Sequence, residues 1–314
     1  MSPGGVVPIS IDAIPLVFLF GPTGVGKTDL LASTFSRGFE VISADSMQVY
    51  RRFSIGTAKP DRDLLDRLPH YLIDIIDPIL PFSAGDFVRL ADEAVSKILE
   101  NGHIPLMSGG TAFYFRSFMF GLPQLPSADS KIRDELDQEC AEKGHEALYC
   151  ELQRVDPERA SQLHPNDLVR IQRSLEIFRI TGKPHSSFAP SMDPREGYRF
   201  LCLGLRRDRQ ELYARINQRV DLMFDYGLEQ EVASLIAAGF NAKTPAMKGI
   251  GYREFFTDPG NERESIKRNS RRYAKRQITF FASLPDVRWF HPDERSKIEE
   301  CVRNFLFAEK LPIV

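Results

Sequence analysis

A doubly wound α/β sheet of parallel strands, carrying a helical insertion, is the fold class that this 314-residue sequence predicts. Three observations point to it. Short apolar runs alternate with amphipathic helical text between residues 16 and 115, the pattern of successive strand–helix units. Three of those runs end in turns of small or acidic residues, at the carboxyl edges where such sheets gather their ligands. A Pro-rich turn at 121–127 then breaks the alternation, and a strand at 198–205 resumes it.

The first run, Leu16-Val17-Phe18-Leu19-Phe20, has the continuous apolar character of a strand buried on both faces. It runs directly into GPTGVGKT at 21–28. Gly21 and Gly26 let the backbone turn its N–H groups onto a bound di- or triphosphate. Lys27 adds a point charge to the outer oxygens, and Thr28 places a hydroxyl where Mg²⁺ sits in such loops. The helix that follows aims its positive end at the same anion. Strand, loop and helix in this order make the sheet P-loop NTPase-like. They do not say whether the phosphate is transferred, hydrolysed or expelled as a leaving group.

The second run ends at Ala44-Asp45 and is expected to lie beside the phosphate-loop strand. Asp45 has three readings: a carboxylate holding Mg²⁺ through water, a general base beside the phosphate, or a cap on the next turn. Ser46, Met47, Gln48 and Tyr50 follow it and offer polar groups suited to a flat heterocycle, which favours the base. Thr23, inside the loop, can place its hydroxyl on a bridging oxygen that gains charge as a leaving group departs. HYLIDI at 70–75 and IPLMSGG at 104–110 read as further strands, with an amphipathic helix at 84–101 between them. Gly56-Thr57-Ala58-Lys59-Pro60 and Gly109-Gly110-Thr111 read either as ligand loops or as tight turns.

Residues 121–198 read as the helical insertion, leaving 1–120 and 199–314 as the catalytic core with its carboxyl-terminal helices. Within the insertion, His164-Pro165-Asn166-Asp167 starts a helix at 168–180. On that helix Arg170, Arg173 and Arg179 form a cationic face suited to phosphates. After the strand at 198–205 come helices at 210–227 and 227–239. Arg215 and Arg219 are spaced four apart on the first, free to meet phosphate or to pair with Asp208, Glu211 or Asp221. KRNSRRYAKR at 267–276 holds six cations and no acid, and on a helix Lys267, Arg268, Arg271, Arg272, Lys275 and Arg276 form one broad stripe. Such a stripe calls for RNA or another polyanion more than for plain solvent.

Composition excludes little. A net charge of −2 with 42% hydrophobic and 27% charged residues is ordinary for a soluble globular chain, and no apolar stretch approaches a membrane span. The first 15 residues read as a short flexible arm, not a signal peptide. Cys140, Cys150, Cys202 and Cys301 are too scattered for a zinc site or a disulfide framework, in keeping with a reducing cytoplasm.

GPTGVGKT, ISADSMQVYR, IGTAKP, GGTAFYF, LPSAD, HPND with RIQRSLEIF, RINQRV, GIGYRE and KRQIT together resemble, in order and spacing, the tRNA dimethylallyltransferase family of bacterial type. The resemblance runs from about Leu16 to Phe281. It implies transfer of a dimethylallyl group from dimethylallyl diphosphate to the exocyclic amine of the adenosine 3′ of a tRNA anticodon. By the same resemblance the diphosphate lies on Gly21, Pro22, Thr23, Gly24, Val25, Gly26, Lys27, Thr28 and Arg219, with Mg²⁺ at Thr28. Asp45 is the implied base, and Thr23 assists the leaving group. Implied to face the tRNA anticodon stem-loop are Asp45, Ser46, Met47, Gln48, Thr111, Arg133, Val169, Arg170, Ile171, Gln172, Arg173, Lys248, Gly251, Tyr252, Arg253, Lys275, Arg276 and Gln277. The enzyme is expected to be a cytoplasmic monomer with no membrane partner. Phe280 and Ala282 depart from the family pattern, which has Trp and a basic residue there. The nearest rivals are an adenylate isopentenyltransferase acting on free AMP and a small-molecule kinase. The first does not need the insertion or the basic stripe, and the second does not predict the HPND or GIGYR segments.

Overall fold

The computed structural model describes residues 13–188 and 193–307. Six strands, β1 (Ile14–Phe20), β2 (Phe39–Ala44), β3 (His70–Tyr71), β4 (Ile104–Gly109), β5 (Tyr198–Leu205) and β6 (Arg288–Phe290), form one all-parallel sheet. Its order is β3-β2-β4-β1-β5-β6, a P-loop NTPase-like arrangement. The amino-terminal arm lies, up to residue 12, outside the described residues, and Ile14 and Pro15 already belong to β1.

β1 is central, with Leu16 through Phe20 wholly buried, as the unbroken apolar run requires of a strand covered on both faces. It pairs with β4 on one side and β5 on the other. Asp45 therefore follows a strand that is not a neighbour of β1, against the expectation from sequence. The crossover through α1 (Lys27–Thr34) skips one position in the sheet, and β4 later fills it.

The third apolar run gives only a two-residue strand, because Leu72 and Asp74 take left-handed conformations (φ 66° and 55°) that end the extended backbone. After α2 (Arg62–Arg67), helix α3 (Ala84–Glu100) opens with a reciprocal capping box between Ser83 and Asp86. It buries Phe87, Ala91, Ala94, Val95 and Ile98 along one face. α4 (Ala112–Phe120) follows β4. Strand β6 was not foreseen in the sequence. Its Trp289 and Phe290 pair with Gly204 and Leu205 of β5.

Two compact units divide the chain: Phe120–Pro194, and Met1–Met119 with Arg195–Val314. The second boundary lies four residues before the one read from sequence. Arg195 belongs with the sheet unit because its N–H donates to Met119 O (2.7 Å), its guanidinium pairs with Asp92 (3.0 Å), and it lies over the rings of Phe118 and Tyr198.

In the sheet unit β5 leads to α9 (Arg209–Asp225), α10 (Leu228–Ala237), α11 (Glu254–Thr257), α12 (Glu262–Phe281) and α13 (Arg295–Phe307) once the four helices of the insertion are numbered. Phe281 at the end of α12 stacks on Phe20 at the end of β1, with ring centroids 4.5 Å apart. A second apolar cluster of Val49, Tyr50, Phe53, Val220, Leu228, Val232 and Tyr252 fixes the long segment after β2 against α9 and α10.

The insertion holds α5 (Ser130–Lys143), α6 (His145–Val155), α7 (Pro157–Ser161) and α8 (Leu168–Thr181) around Leu136, Leu148, Leu152, Ile171 and Leu175. Asp167 caps α8, accepting from Arg170 N, and Gly182 ends it in a left-handed turn. Glu176, wholly buried, accepts from Asp129 N, Arg133 and Arg173.

Candidate active site

Four carbonyl groups of the loop at 21–28 are held by side chains. Lys27 Nζ donates to Gly21 O (2.9 Å) and Pro22 O (3.0 Å), Arg215 Nε to Gly24 O (2.9 Å) and Arg207 Nε to Val25 O (2.8 Å). Gln277 Oε1 accepts from Thr23 N (3.0 Å). Gly24 (φ 77°) and Gly26 (φ 109°) occupy left-handed backbone that other residues resist, and Gly26 caps α1 without a side chain. With those four carbonyls engaged, the N–H groups of Gly24, Gly26, Lys27 and Thr28 have no acceptor among the described residues. That is a nest for an anion at a helix start.

Two cations stand over this nest. Burial first, then Arg219, pushes the Lys27 ammonium down to about 7, against the opposing pull of Asp45. Burial likewise lowers Arg219, with Asp45 and Asp29 opposing. Arg219 has no hydrogen bond or ion pair among the described residues. Two desolvated positive groups, neither with an acidic ion-pair partner among the described residues, mark a place built for a multiply charged anion.

Asp45, half-buried, closes the other side. Its Oδ1 accepts from Met47 N (2.9 Å) and Gln48 N (3.3 Å), a local turn that fixes the carboxylate at the end of β2 and leaves Oδ2 without a protein donor among the described residues. The Thr111 hydroxyl accepts from Ser46 N (2.9 Å) and holds the same turn from the β4 side. Gln48 spends its amide on Ser43 and on the carbonyls of Thr57 and Ala58, so it ties down the GTAKP turn.

Two cavities meet at Thr23, Asp45, Arg219 and Tyr273. One, of about 410 Å³, is lined by the phosphate loop, Ser43, Ser108 and Arg215. The other, of about 440 Å³, is lined by Ser46, Met47, Thr57, Phe82, Lys248 and Arg253. The Tyr273 phenol, pushed up to about 12 by burial and then by Asp45, remains neutral beside the junction. One cavity can hold an anion and the other a planar group, with a carboxylate between them.

Several residues read as tRNA-facing are buried, although Gln277 lines the first cavity and Gly251 and Arg253 the second. Tyr252 is wholly buried, its hydroxyl donating to Glu231 (2.6 Å), while Glu231 also accepts the N–H groups of Ser54, Ile55 and Gly56. Gly251 is buried too, its N–H taken by Glu254 (2.9 Å), which also holds Arg253. Gln277 and Ile171 are buried. Lys248, Lys275 and Arg276 are exposed.

The basic stripe is not uniform. Lys267 pairs with Asp221 (2.8 Å) and Glu264 (3.0 Å), Arg268 with Asp258 (3.4 Å), and Arg271 donates to Asn217. Arg272 and Lys275 are exposed and have no acidic partner among the described residues.

Within the insertion the cationic face is largely neutralised. Arg179 meets Glu139 (2.9 Å) and Glu151 (3.1 Å), and Arg173 meets Glu176 (2.6 Å) and Pro126 O (2.7 Å). Arg133 also pairs with Glu176 (2.9 Å), and Gln172 donates to Asp137 (2.6 Å). Arg170 is exposed beside Asp167, and Val169 is 79% exposed.

Sequence reasoning missed Arg207, Glu231 and Tyr273. Tyr273 and Gln277 are four apart on α12, a spacing that could have set them on one inward face. Arg215 reaches Asp29 (3.7 Å) rather than the acids on its own helix.

A family model described as IPP transferase matches residues 48–284. The chain is 42% identical over 305 residues to tRNA dimethylallyltransferase 1 of Pelobacter propionicus, covering 93% of this chain and 98% of that one. Among solved structures, the tRNA isopentenylpyrophosphate transferase of Bacillus halodurans aligns with a TM-score of 0.68 at 37% identity, covering 93% of this chain and 96% of that one. A eukaryotic dimethylallyltransferase acting on tRNA aligns with a TM-score of 0.79 at 26% identity, covering 96% and 81%.

Proposed function

Since this chain belongs to the IPP transferase family of tRNA-modifying enzymes, we propose that it transfers the dimethylallyl group of dimethylallyl diphosphate to N6 of adenosine 37 in tRNA, giving N6-isopentenyladenosine and diphosphate. The observation that carries this reading is the junction itself: an anion nest with two cations free of acidic partners among the described residues opens into one cavity, a carboxylate faces a second, and Thr23 lies at both.

The diphosphate rests on the backbone N–H groups of Gly24, Gly26, Lys27 and Thr28, with Lys27 and Arg219 against its oxygens. An adenine amine is a weak nucleophile, because its lone pair is delocalised into the ring. It must therefore be held in line with the allylic carbon and lose a proton as it reacts. As the N6–C1 bond forms, the C1–O bond breaks and its electron pair passes to the bridging oxygen, to which the Thr23 hydroxyl donates. The N6 proton passes to Asp45 Oδ2. Asp45 is oriented for this by the N–H groups on Oδ1. The target base leaves its stack to enter the second cavity, at a cost of a few kcal/mol that a loop keeps low.

Hard oxygen donors suit Mg²⁺, and the exposed Thr28 hydroxyl at the start of α1, with Asp45 lining the same cavity, fits a cation held chiefly by phosphate oxygens and water. When bound, Mg²⁺ neutralises diphosphate charge. Lys248, Arg272, Lys275 and Arg276 of the sheet unit and Arg170 and Val169 of the insertion are the exposed groups we assign to the anticodon stem-loop. The enzyme works as a monomer in the cytoplasm. Among the described residues no helix is long and apolar enough to cross a membrane.

The test is incubation with radiolabelled dimethylallyl diphosphate and either an anticodon stem-loop or AMP, with ATP consumption followed in parallel. Label enters the stem-loop. Label in AMP alone, or brisk ATP turnover without label in RNA, overturns the proposal.

A further inference from the structure

We infer that Gln277 is a positioning residue for the transfer step, fixing the leaving-group side of the site relative to the base, and is not a reader of tRNA. The inference rests on the function proposed above. Gln277 stands among exposed Lys275, Arg276 and Ile278 on α12, yet only 3% of it reaches solvent. Its side chain points inward, one turn from Tyr273, and both ends of its amide are used. Oε1 accepts the Thr23 N–H (3.0 Å), and Nε2 donates to Gly110 O (2.7 Å).

These two bonds form part of a longer connection. Gly110 is bonded to Thr111, whose hydroxyl accepts the Ser46 N–H (2.9 Å), and Ser46 is bonded to Asp45. Thr23, at the bridging oxygen, and Asp45, at the amine proton, follow strands that are not sheet neighbours. The β4 strand lies between them, and Gln277 clamps the turn after β4 to the phosphate loop. Only an amide serves here. Its oxygen must meet an N–H and its nitrogen a carbonyl, so the orientation is set by the partners. A carboxylate would face the Gly110 carbonyl with like charge, and an aliphatic chain would leave both groups unpaired. Gly110 completes the fit, since a Cβ there would stand 2.5 Å from Gln277 Nε2.

The experiment compares wild type, Gln277→Ala, Gln277→Glu, Gly110→Ala and the double variant Gly110→Ala/Gln277→Ala. For each, the single-turnover rate constant is measured at saturating dimethylallyl diphosphate and anticodon stem-loop, and the Kd for the stem-loop is measured separately by fluorescence anisotropy. A misplacement of about 1 Å lowers the rate on the order of 100-fold. Gln277→Ala, Gln277→Glu and Gly110→Ala all show such a loss, with stem-loop Kd held within about twofold. The double variant is no slower than Gln277→Ala, because removing the amide removes the collision.

A Gln277→Ala enzyme with wild-type rate and weakened stem-loop binding overturns the inference in favour of tRNA reading. If Gln277→Ala does not fold, Gly110→Ala perturbs the same bridge with the glutamine retained, and a wild-type rate there overturns it equally. A wild type that transfers nothing to RNA sinks the proposed function, and this inference with it. Active wild type with unaffected variants sinks this inference alone.

Discussion

Lys27 gives the most exposed prediction, because its charge state is tied to whether the anion is present. In the free protein its ammonium is held at about 7, from an ordinary 10.5, by burial and by Arg219. A bound diphosphate places negative charge against the same group and returns it toward its ordinary value. Below about pH 7 the free enzyme already carries the proton, so binding costs nothing extra. Above it, binding must take up a proton, and Kd rises about tenfold per pH unit, or about 1.4 kcal/mol each. Between pH 7 and 9 the loss is on the order of 100-fold. The ligand's own ionisation works in the opposite sense, since a more negative diphosphate binds cations better. The assay is calorimetry with a thiolodiphosphate analogue of dimethylallyl diphosphate, in two buffers of different ionisation heat. Proton uptake approaches one per site near pH 8.5. Flat or tightening affinity across this range, with no proton uptake, refutes the argument. The same shift has a stability counterpart. A lysine with a lowered folded-state pKa costs stability in full below about pH 7, and the cost is relieved as pH rises toward 10.5. The melting-temperature gain of Lys27→Met over wild type is therefore largest at pH 6–7 and shrinks above it, although the variant loses diphosphate binding.

Asp45→Asn keeps an oxygen for the Met47 and Gln48 N–H groups and removes only the base. It lowers kcat by about 10²–10⁴ with unchanged analogue affinity, measured by single-turnover kinetics and calorimetry. Glu231→Ala leaves three backbone N–H groups and the buried Tyr252 hydroxyl without their acceptor, and costs about 2–4 kcal/mol in urea denaturation. Lys275→Ala reduces the salt dependence of stem-loop binding by about one charge in the slope of log K against log salt. Lys267→Ala, paired with Asp221 and Glu264, leaves that slope unchanged.

What the sequence disclosed was whatever depends on contiguous residues. β1, α3 and the phosphate loop are legible because an unbroken apolar run, a capping box and a glycine-spaced loop each carry their cause within a few positions. β3 was over-read because nothing in HYLIDI marks Leu72 and Asp74 for left-handed backbone. β6 escaped because three residues give no period. At the site, Asp45, Thr23 and Lys27 stand out by type and place and Arg219 through the family resemblance, but the hydrogen bonds that Asp45, Thr23 and Lys27 make do not. The Lys267–Asp221 and Arg179–Glu151 pairs join segments far apart in the chain, so a stripe that reads as bare charge is partly neutralised once folded. Gln277 hides similarly. In the text KRQIT it sits among cations, and only the turn after β4 reveals that it faces inward.

The placement of β1 between β4 and β5 has a consequence for synthesis. Val17 pairs with Leu106 on one side and with Leu201 on the other. On the ribosome the first partner emerges early, but the second must wait for the whole insertion to be translated, an interval of roughly 5–20 s at common elongation rates. Throughout it the most apolar strand of the protein has a bare backbone edge. The nascent chain is then at its most aggregation-prone, and holdase chaperones would find it there. A ribosomal pause placed within the insertion would lower soluble yield without altering a single residue of the finished enzyme.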